Sequence, residues 1–194
     1  TILAGTREHC RILLPWNEKL PSYHEGLLQN IDEEILNKPA RLTKDEYQIM
    51  KMHARYSYEL IKELKEKGYR IIATRDTHHN DYLDTQEGKN LPVVHCIKGT
   101  PGWEVIDEIK PFVDEYVDKP TFGFLGWKNV IKSPEAIEMC GTCTGICVAS
   151  NFSVLKATFS ETPITVYKDL CACVSKESHD AAINVMTVQQ AIIA

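Results

Sequence analysis

The chain has 194 residues, a formal net charge of −5 and a 43% apolar fraction, the proportions of one ordinary globular domain. The acidic balance, with no basic cluster, argues against a nucleic-acid partner, and no apolar run approaches the roughly 20 residues that span a bilayer. Seven cysteines, an odd number, follow a start (Thr1–Arg7) without the charged-then-apolar plan of a secretory signal, so reduced thiols in a cytoplasmic protein are expected.

In chain order, Ile2-Leu3-Ala4 and Ile12-Leu13-Leu14 are alternative first strands, and Pro21, Gly26 and Pro39 then punctuate loops and short turns. Thr43-Lys-Asp-Glu46 has the form of a capping box and opens a long amphipathic helix with Tyr47, Met50, Ala54, Ser57, Ile61 and Leu64 at helical spacing. Lys62, Lys65 and Lys67 load its last turns, and Gly68 suits the residue just past its end. His53, beside the apolar stripe, is either a satisfied histidine or a ligand. Tyr69–Thr74 reads as a strand running into Arg75-Asp76-Thr77-His78-His79. Asp76 and His78 share one side of an extended chain, since side chains alternate. His95 arrives from Leu91-Pro-Val-Val-His95-Cys96. One carboxylate and two imidazoles make a divalent-metal site with open positions; the same residues also suit a solvated polar loop.

Trp103–Ile109 predicts a short helix and Glu115–Lys119 a strand closed by Pro120. Lys119 is either a solvated strand end or a buried lysine with a task. Next comes Cys140-Gly-Thr-Cys-Thr-Gly-Ile-Cys147, after the apolar Ala136, Ile137 and Met139 and before a helical pattern of Val148, Phe152, Leu155 and Phe159. A strand that breaks at Gly141 and re-forms as a helix near Gly145 holds Cys147 at a helix N-terminus. Negative charge is favoured there, and a thiol becomes a usable nucleophile; a small buried hydrophobe is the alternative. Ile164–Tyr167 is a further strand, and Ser175 caps a last helix with Ala182, Val185 and Met186 on one face. Cys140, Cys143, Cys171 and Cys173 also have roughly the pairwise spacing of a structural zinc module. Strands alternating with helices predict an α/β sandwich with a largely parallel sheet, whose site lies beyond the carboxyl ends of the strands. Asp76, His78, Lys119 and Cys147 all follow strand ends.

Several passages together resemble the isochorismatase-like cysteine hydrolases, which include the nicotinamidases. They are Ile72-Ala-Thr-Arg-Asp-Thr-His78, Tyr82-Leu-Asp-Thr-Gln-Glu-Gly88, Leu91–Glu104, Val117-Asp-Lys-Pro-Thr-Phe122 and Gly141-Thr-Cys-Thr-Gly-Ile-Cys-Val148, within residues 69 to 190. The resemblance implies a three-layer α/β/α sandwich around a mainly parallel sheet. It implies Cys147 as nucleophile, Lys119 as a second triad member, and the backbone amides of Cys143 and Cys147 as oxyanion hole. A cis peptide at Thr142–Cys143 belongs to the same pattern. Asp76, His78 and His95 match the family's ligands for zinc, iron or manganese. The activity implied is hydrolysis of a small carboxamide such as nicotinamide through a thioester, by an enzyme that often assembles as a homo-oligomer.

Two positions depart from the family. Its first strand ends in an aspartate that serves as general base, where Ile12-Leu-Leu-Pro-Trp-Asn-Glu18 has none; Glu8 or Glu18 could substitute only from within reach of Cys147. The aspartate common two residues before the nucleophile is Gly145 here. A non-catalytic binding member of the fold is therefore the alternative to an amidase. His24–His53 resembles part of the HD-GYP phosphodiesterases, at His24, Glu25 and His53, but about 35 residues cannot build that helical domain. The chain is thus expected to be a single isochorismatase-like domain, 1–194, with an atypical N-terminal third, 1–68.

Overall fold

The computed structural model describes residues 2–4, 9–12, 58 and 61–194. In chain order come β1 (Ile2–Ala4), β2 (His9–Ile12), the helical segment α1 (61–66), β3 (Arg70–Asp76), α2 (Gln86–Asn90) and β4 (Glu115–Lys119). They are followed by α3 (Trp127–Val130), β5 (Ala136–Thr142), α4 (Ala149–Thr158), β6 (Ile164–Ala172), α5 (Lys176–Val188) and β7 (Ile192–Ile193). The strands form one sheet in the order β4-β3-β1-β2-β5-β6-β7. β1 runs antiparallel to β2, β3 and β5, and the other pairings are parallel. The architecture is the α/β sandwich that the alternation of elements predicts, in the three layers that the family resemblance implies.

Burial explains the strand sequences. Ile71, Ile72 and Ala73 in β3 are buried in succession, the unbroken apolar run of a strand covered on both faces, and Ile137 and Met139 in β5 are buried on either side of Glu138. One apolar core joins them to Val148, Phe152 and Leu155, the helical stripe read from the sequence. Of the helix predicted behind Thr43, only 58 and 61–66 are described, and they are helical. Its end is a Schellman closure: Tyr69 N–H donates to Leu64 O at 3.0 Å, Gly68 N–H to Lys65 O at 2.9 Å, and Gly68 takes φ 80°. His24, Glu25, His53, Glu8 and Glu18 lie outside the described residues.

Four expectations are corrected in detail. Residues 103–109 do not form a helix; 3₁₀ turns at Pro101–Trp103 and Lys110–Phe112 flank an irregular stretch. Two prolines and the β-branched pair Val105-Ile106 leave no room for a regular helix between them. β5 does not break at Gly141 but continues to Thr142 with a register shift against β6 between Met139 and Gly141, and Gly141 absorbs it at φ 125°. β6 extends past Tyr167 to Ala172. In α5, Ser175 caps as expected and Ala182 and Met186 are buried, but Val185 is 53% exposed; the apolar stripe passes instead through Ile183.

Candidate active site

The register of β3 against β4 assembles the polar end of the sheet. Parallel pairing sets Arg75 beside Asp118 and Asp76 beside Lys119, at the carboxyl ends of both strands. Arg75 is consumed locally: its guanidinium lies 3.7 Å over the Trp103 ring and 4.5 Å over Tyr116, and it pairs with Asp118 Oδ1 at 2.8 Å. Trp103 Nε1–H in turn donates to Thr77 Oγ1 at 2.8 Å, fixing the indole at the cavity wall.

Lys119 is not a solvated strand end. It is 1% exposed, and its ammonium contacts Asp76 Oδ1 at 3.2 Å, Thr121 O at 3.2 Å and Cys147 Sγ at 3.3 Å. A buried ammonium needs such partners, because desolvation of an unpaired one costs several kcal/mol. Cys147 comes from the other half of the sheet. After β5 the chain forms a single π-helical turn, Thr144–Val148, ahead of α4, and Cys143 O accepts from both Ile146 N–H and Val148 N–H at 3.1 Å. The Thr142–Cys143 peptide is cis. The buried Asn151 holds this turn: its Nδ2 donates to Cys147 O at 2.7 Å and Phe122 O at 3.0 Å. Its Oδ1 accepts from Phe124 N–H at 3.0 Å and Trp127 Nε1–H at 3.1 Å. One bond holds the cysteine turn, two hold the loop that follows Lys119, and the fourth holds Trp127 at the start of α3.

Burial raises the Cys143 thiol to about 11, with Cys173 and Cys147 adding to the shift. That side chain therefore stays neutral near pH 7, and the residue can contribute only through its backbone. Burial also pushes up Cys96, with Asp76 next among the causes. Cys140, Cys143, Cys171 and Cys173 are in no disulfide, and among the described residues they gather into no metal-ligand cluster, so the zinc module is not formed.

The carboxylate and imidazoles do gather. Asp76, His78 and His95 are joined by Glu87, with one ligand atom from each within 4.8 Å of the others. The loops zip together to do this: His78 N–H donates to Cys96 O at 3.0 Å, Lys98 N–H to His78 O at 2.9 Å, and His78 bridges to Ile97. His95 Nδ1–H donates to Val93 O at 2.7 Å, which turns Nε2 toward the cluster, 3.9 Å from Asp76 Oδ2. His78 Nε2 is buried without a hydrogen-bond partner, 3.5 Å from both Asp76 Oδ2 and Glu87 Oε1. Tyr82, buried with its hydroxyl on Leu91 O at 2.9 Å, packs its ring against both imidazoles. Two imidazole nitrogens and two carboxylates, one of the nitrogens buried without a hydrogen-bond partner, fit a divalent cation.

Glu87 and Asn151 are the residues that sequence reasoning missed. Thr85 caps α2, accepting from Gly88 N–H at 3.0 Å and donating to Tyr82 O at 2.6 Å. A Cβ on Gly88 would lie 2.0 Å from Tyr82 O, so only glycine lets the turn close and bring Glu87 to His78. Thr85-x-x-Gly88 is the signal that marks this helix start.

Cys147, Lys119, Cys143, Asp76, His78 and His95 all line one cavity of about 910 Å³, of small-molecule size. Fold and cavity define an α/β sandwich with a cysteine–lysine pair beside a group of carboxylates and imidazoles that could hold a metal ion. The isochorismatase domain matches residues 40–194, and the chain belongs to the isochorismatase family. That match takes in the second half of the stretch compared above with HD-GYP proteins, which lies outside the described residues. Solved structures share the fold. The nicotinamidase/pyrazinamidase of Bacillus subtilis is 21% identical over 75% of this chain and 85% of its own, with a TM-score of 0.63. A pyrazinamidase of Pyrococcus horikoshii in complex with zinc is 22% identical over 74% and 85%, at 0.57. An isochorismatase family protein of Desulfovibrio vulgaris is 16% identical over 94% and 91%, at 0.61. No helix among the described residues is long and apolar enough to cross a membrane.

Proposed function

We propose that the protein is a cysteine amidase that cleaves a small carboxamide such as nicotinamide. The observation that carries this is the Lys119 ammonium 3.3 Å from the Cys147 sulfur, in the cavity that also holds Asp76, His78, Glu87 and His95. A cation at that distance attracts the negative charge that the attacking sulfur carries. The thiolate sulfur bonds to the amide carbon, and the backbone amides of Cys143 and Cys147 take the oxyanion. The carbon–nitrogen bond breaks, and ammonia leaves carrying the thiol's proton. Water then cleaves the thioester, giving the carboxylic acid and restoring the thiol. Asp76 holds Lys119 in place from the metal side.

Asp76, His78, Glu87 and His95 would hold the metal, and zinc, iron or manganese bound there would supply Lewis acidity toward a substrate's ring nitrogen. Glu87→Gln is expected to weaken retention of added zinc about tenfold or more, since it removes one of two ligand carboxylates. Metal content after dialysis, read with the protein folded, checks it; an unchanged zinc content contradicts the assignment.

We read the chain, 1–194, as one such domain, working as a homo-oligomer in the cytoplasm on a small amide, without nucleic-acid or membrane partners. The test is ammonia release from nicotinamide by metal-loaded protein. Turnover supports the amidase; tight binding with no ammonia would instead favour a non-catalytic member of the fold.

A further inference from the structure

The turn that carries Cys147 is gripped from two sides. Asn151 and the loop after Lys119 hold one. On the other, the N-terminal part of α5 is seated against the turn's first residues. Thr144 is 0% exposed, and its hydroxyl is hydrogen-bonded to His179 Nδ1 at 2.9 Å. Gly145 N–H donates to Cys173 Sγ at 3.3 Å. A Cβ at Gly145 would meet Cys173 Sγ at 3.4 Å, Ser178 O at 3.4 Å and Ala182 Cβ at 3.7 Å, so α5 lies in direct contact with the backbone here. The start of α5 is itself fixed by Ser175, whose Oγ accepts from Ser178 N–H at 3.2 Å.

Neither Thr144 nor His179 lines the cavity. We propose that His179 is a positioning residue for the reaction, acting through the Thr144 hydroxyl on the turn between the Cys143 and Cys147 amides. It rests on Cys147 being the nucleophile. Thr144 follows Cys143, whose carbonyl takes the N–H groups of Ile146 and Val148. A rotation of Thr144 therefore displaces the Cys143 carbonyl, the two bonds on it, and the sulfur three residues on. Thr144 has a buried hydroxyl whose partner comes from a helix 35 residues away in sequence, so the turn's position depends on where α5 sits. Oxyanion donors must meet the transition state within a few tenths of an ångström, whereas ground-state binding in the cavity tolerates more. Loss of the bond should therefore appear in kcat rather than KM.

The experiment compares Thr144→Val, His179→Ala, His179→Asn and the double Thr144→Val/His179→Ala in the metal-loaded enzyme. It measures kcat, KM and the rate at which iodoacetamide alkylates Cys147. Thr144→Val keeps the shape and removes the hydroxyl. Asparagine places an amide atom where Nδ1 stands, able to donate or accept. Both Thr144→Val and His179→Ala are expected to lower kcat about tenfold with KM within about twofold, and the double to lose no more than either single. His179→Asn is expected to recover most of the loss. A Thr144→Val enzyme with unchanged kcat, additive singles, or His179→Asn as impaired as His179→Ala would overturn the proposal. If His179→Ala does not fold, Thr144→Val and His179→Asn decide alone. Should Cys147 fail to label and Cys147→Ala stay active, the nucleophile assignment falls; normal labelling with unaffected variants removes only the role of His179.

Discussion

Cys147→Ala is expected to lower carboxamide turnover by about 10³-fold or more, the scale for removing a nucleophile that acts in concert with its neighbours. The fold should survive. The sulfur is one atom at the floor of a cavity, and Asn151 grips the backbone carbonyl of residue 147, which the substitution leaves in place. The thermal midpoint should move little, zinc should still bind at Asp76, His78, Glu87 and His95, and substrate should still bind. Circular dichroism, metal content and steady-state kinetics on one preparation separate these effects. Retention of turnover within a factor of ten would mean that another group attacks the amide. Cys143 is poorly suited to replace it, with a thiol raised to about 11.

Lys119→Met should have the next largest effect, on activity and stability together. Methionine keeps most of the buried volume and removes the ammonium that contacts Asp76, Thr121 O and Cys147. The attacking sulfur loses the positive charge in contact with it, so kcat is expected to fall about 10²-fold. Stability of the metal-free protein should fall by about 2–3 kcal/mol, below the cost for a fully buried pair, because the Asp76 side chain keeps some solvent contact. Zinc binding should restore part of that loss by giving Asp76 a new cation, and nothing of the kcat loss. Urea denaturation with and without zinc, beside initial rates, checks both parts. A Lys119→Met enzyme with near-normal kcat would assign the lysine to structure alone.

The cysteine, the lysine and the Asp-x-His pair were legible in the sequence because each stands at a strand end. A parallel sheet collects its strand ends on one edge whatever the loops do. Glu115–Lys119 was legible to the residue, since Pro120 closes it. Glu87, Asn151 and His179 were not legible, and for a common physical reason: each acts through contacts set by tertiary packing. Glu87 reaches the imidazoles only because Gly88 lets α2 close against Tyr82 O. Asn151 looks like an ordinary polar helical residue until the loop at 122–127 folds over it. His179 matters only where α5 meets the cysteine turn. The 103–109 stretch misled in the opposite sense, its helical composition being overridden by flanking prolines.

The central claim is that Cys147 carries the acyl group between the two half-reactions. The direct measurement is the mass of the Cys147-containing peptide after acid quench of the metal-loaded enzyme turning over nicotinamide. The account predicts that a fraction of that peptide is heavier by one nicotinoyl group, that the adduct is lost on treatment with hydroxylamine, as a thioester is, and that Cys147→Ala shows none. Ammonia release with no adduct on Cys147 at any quench time, or an adduct on another residue that persists in Cys147→Ala, would contradict it.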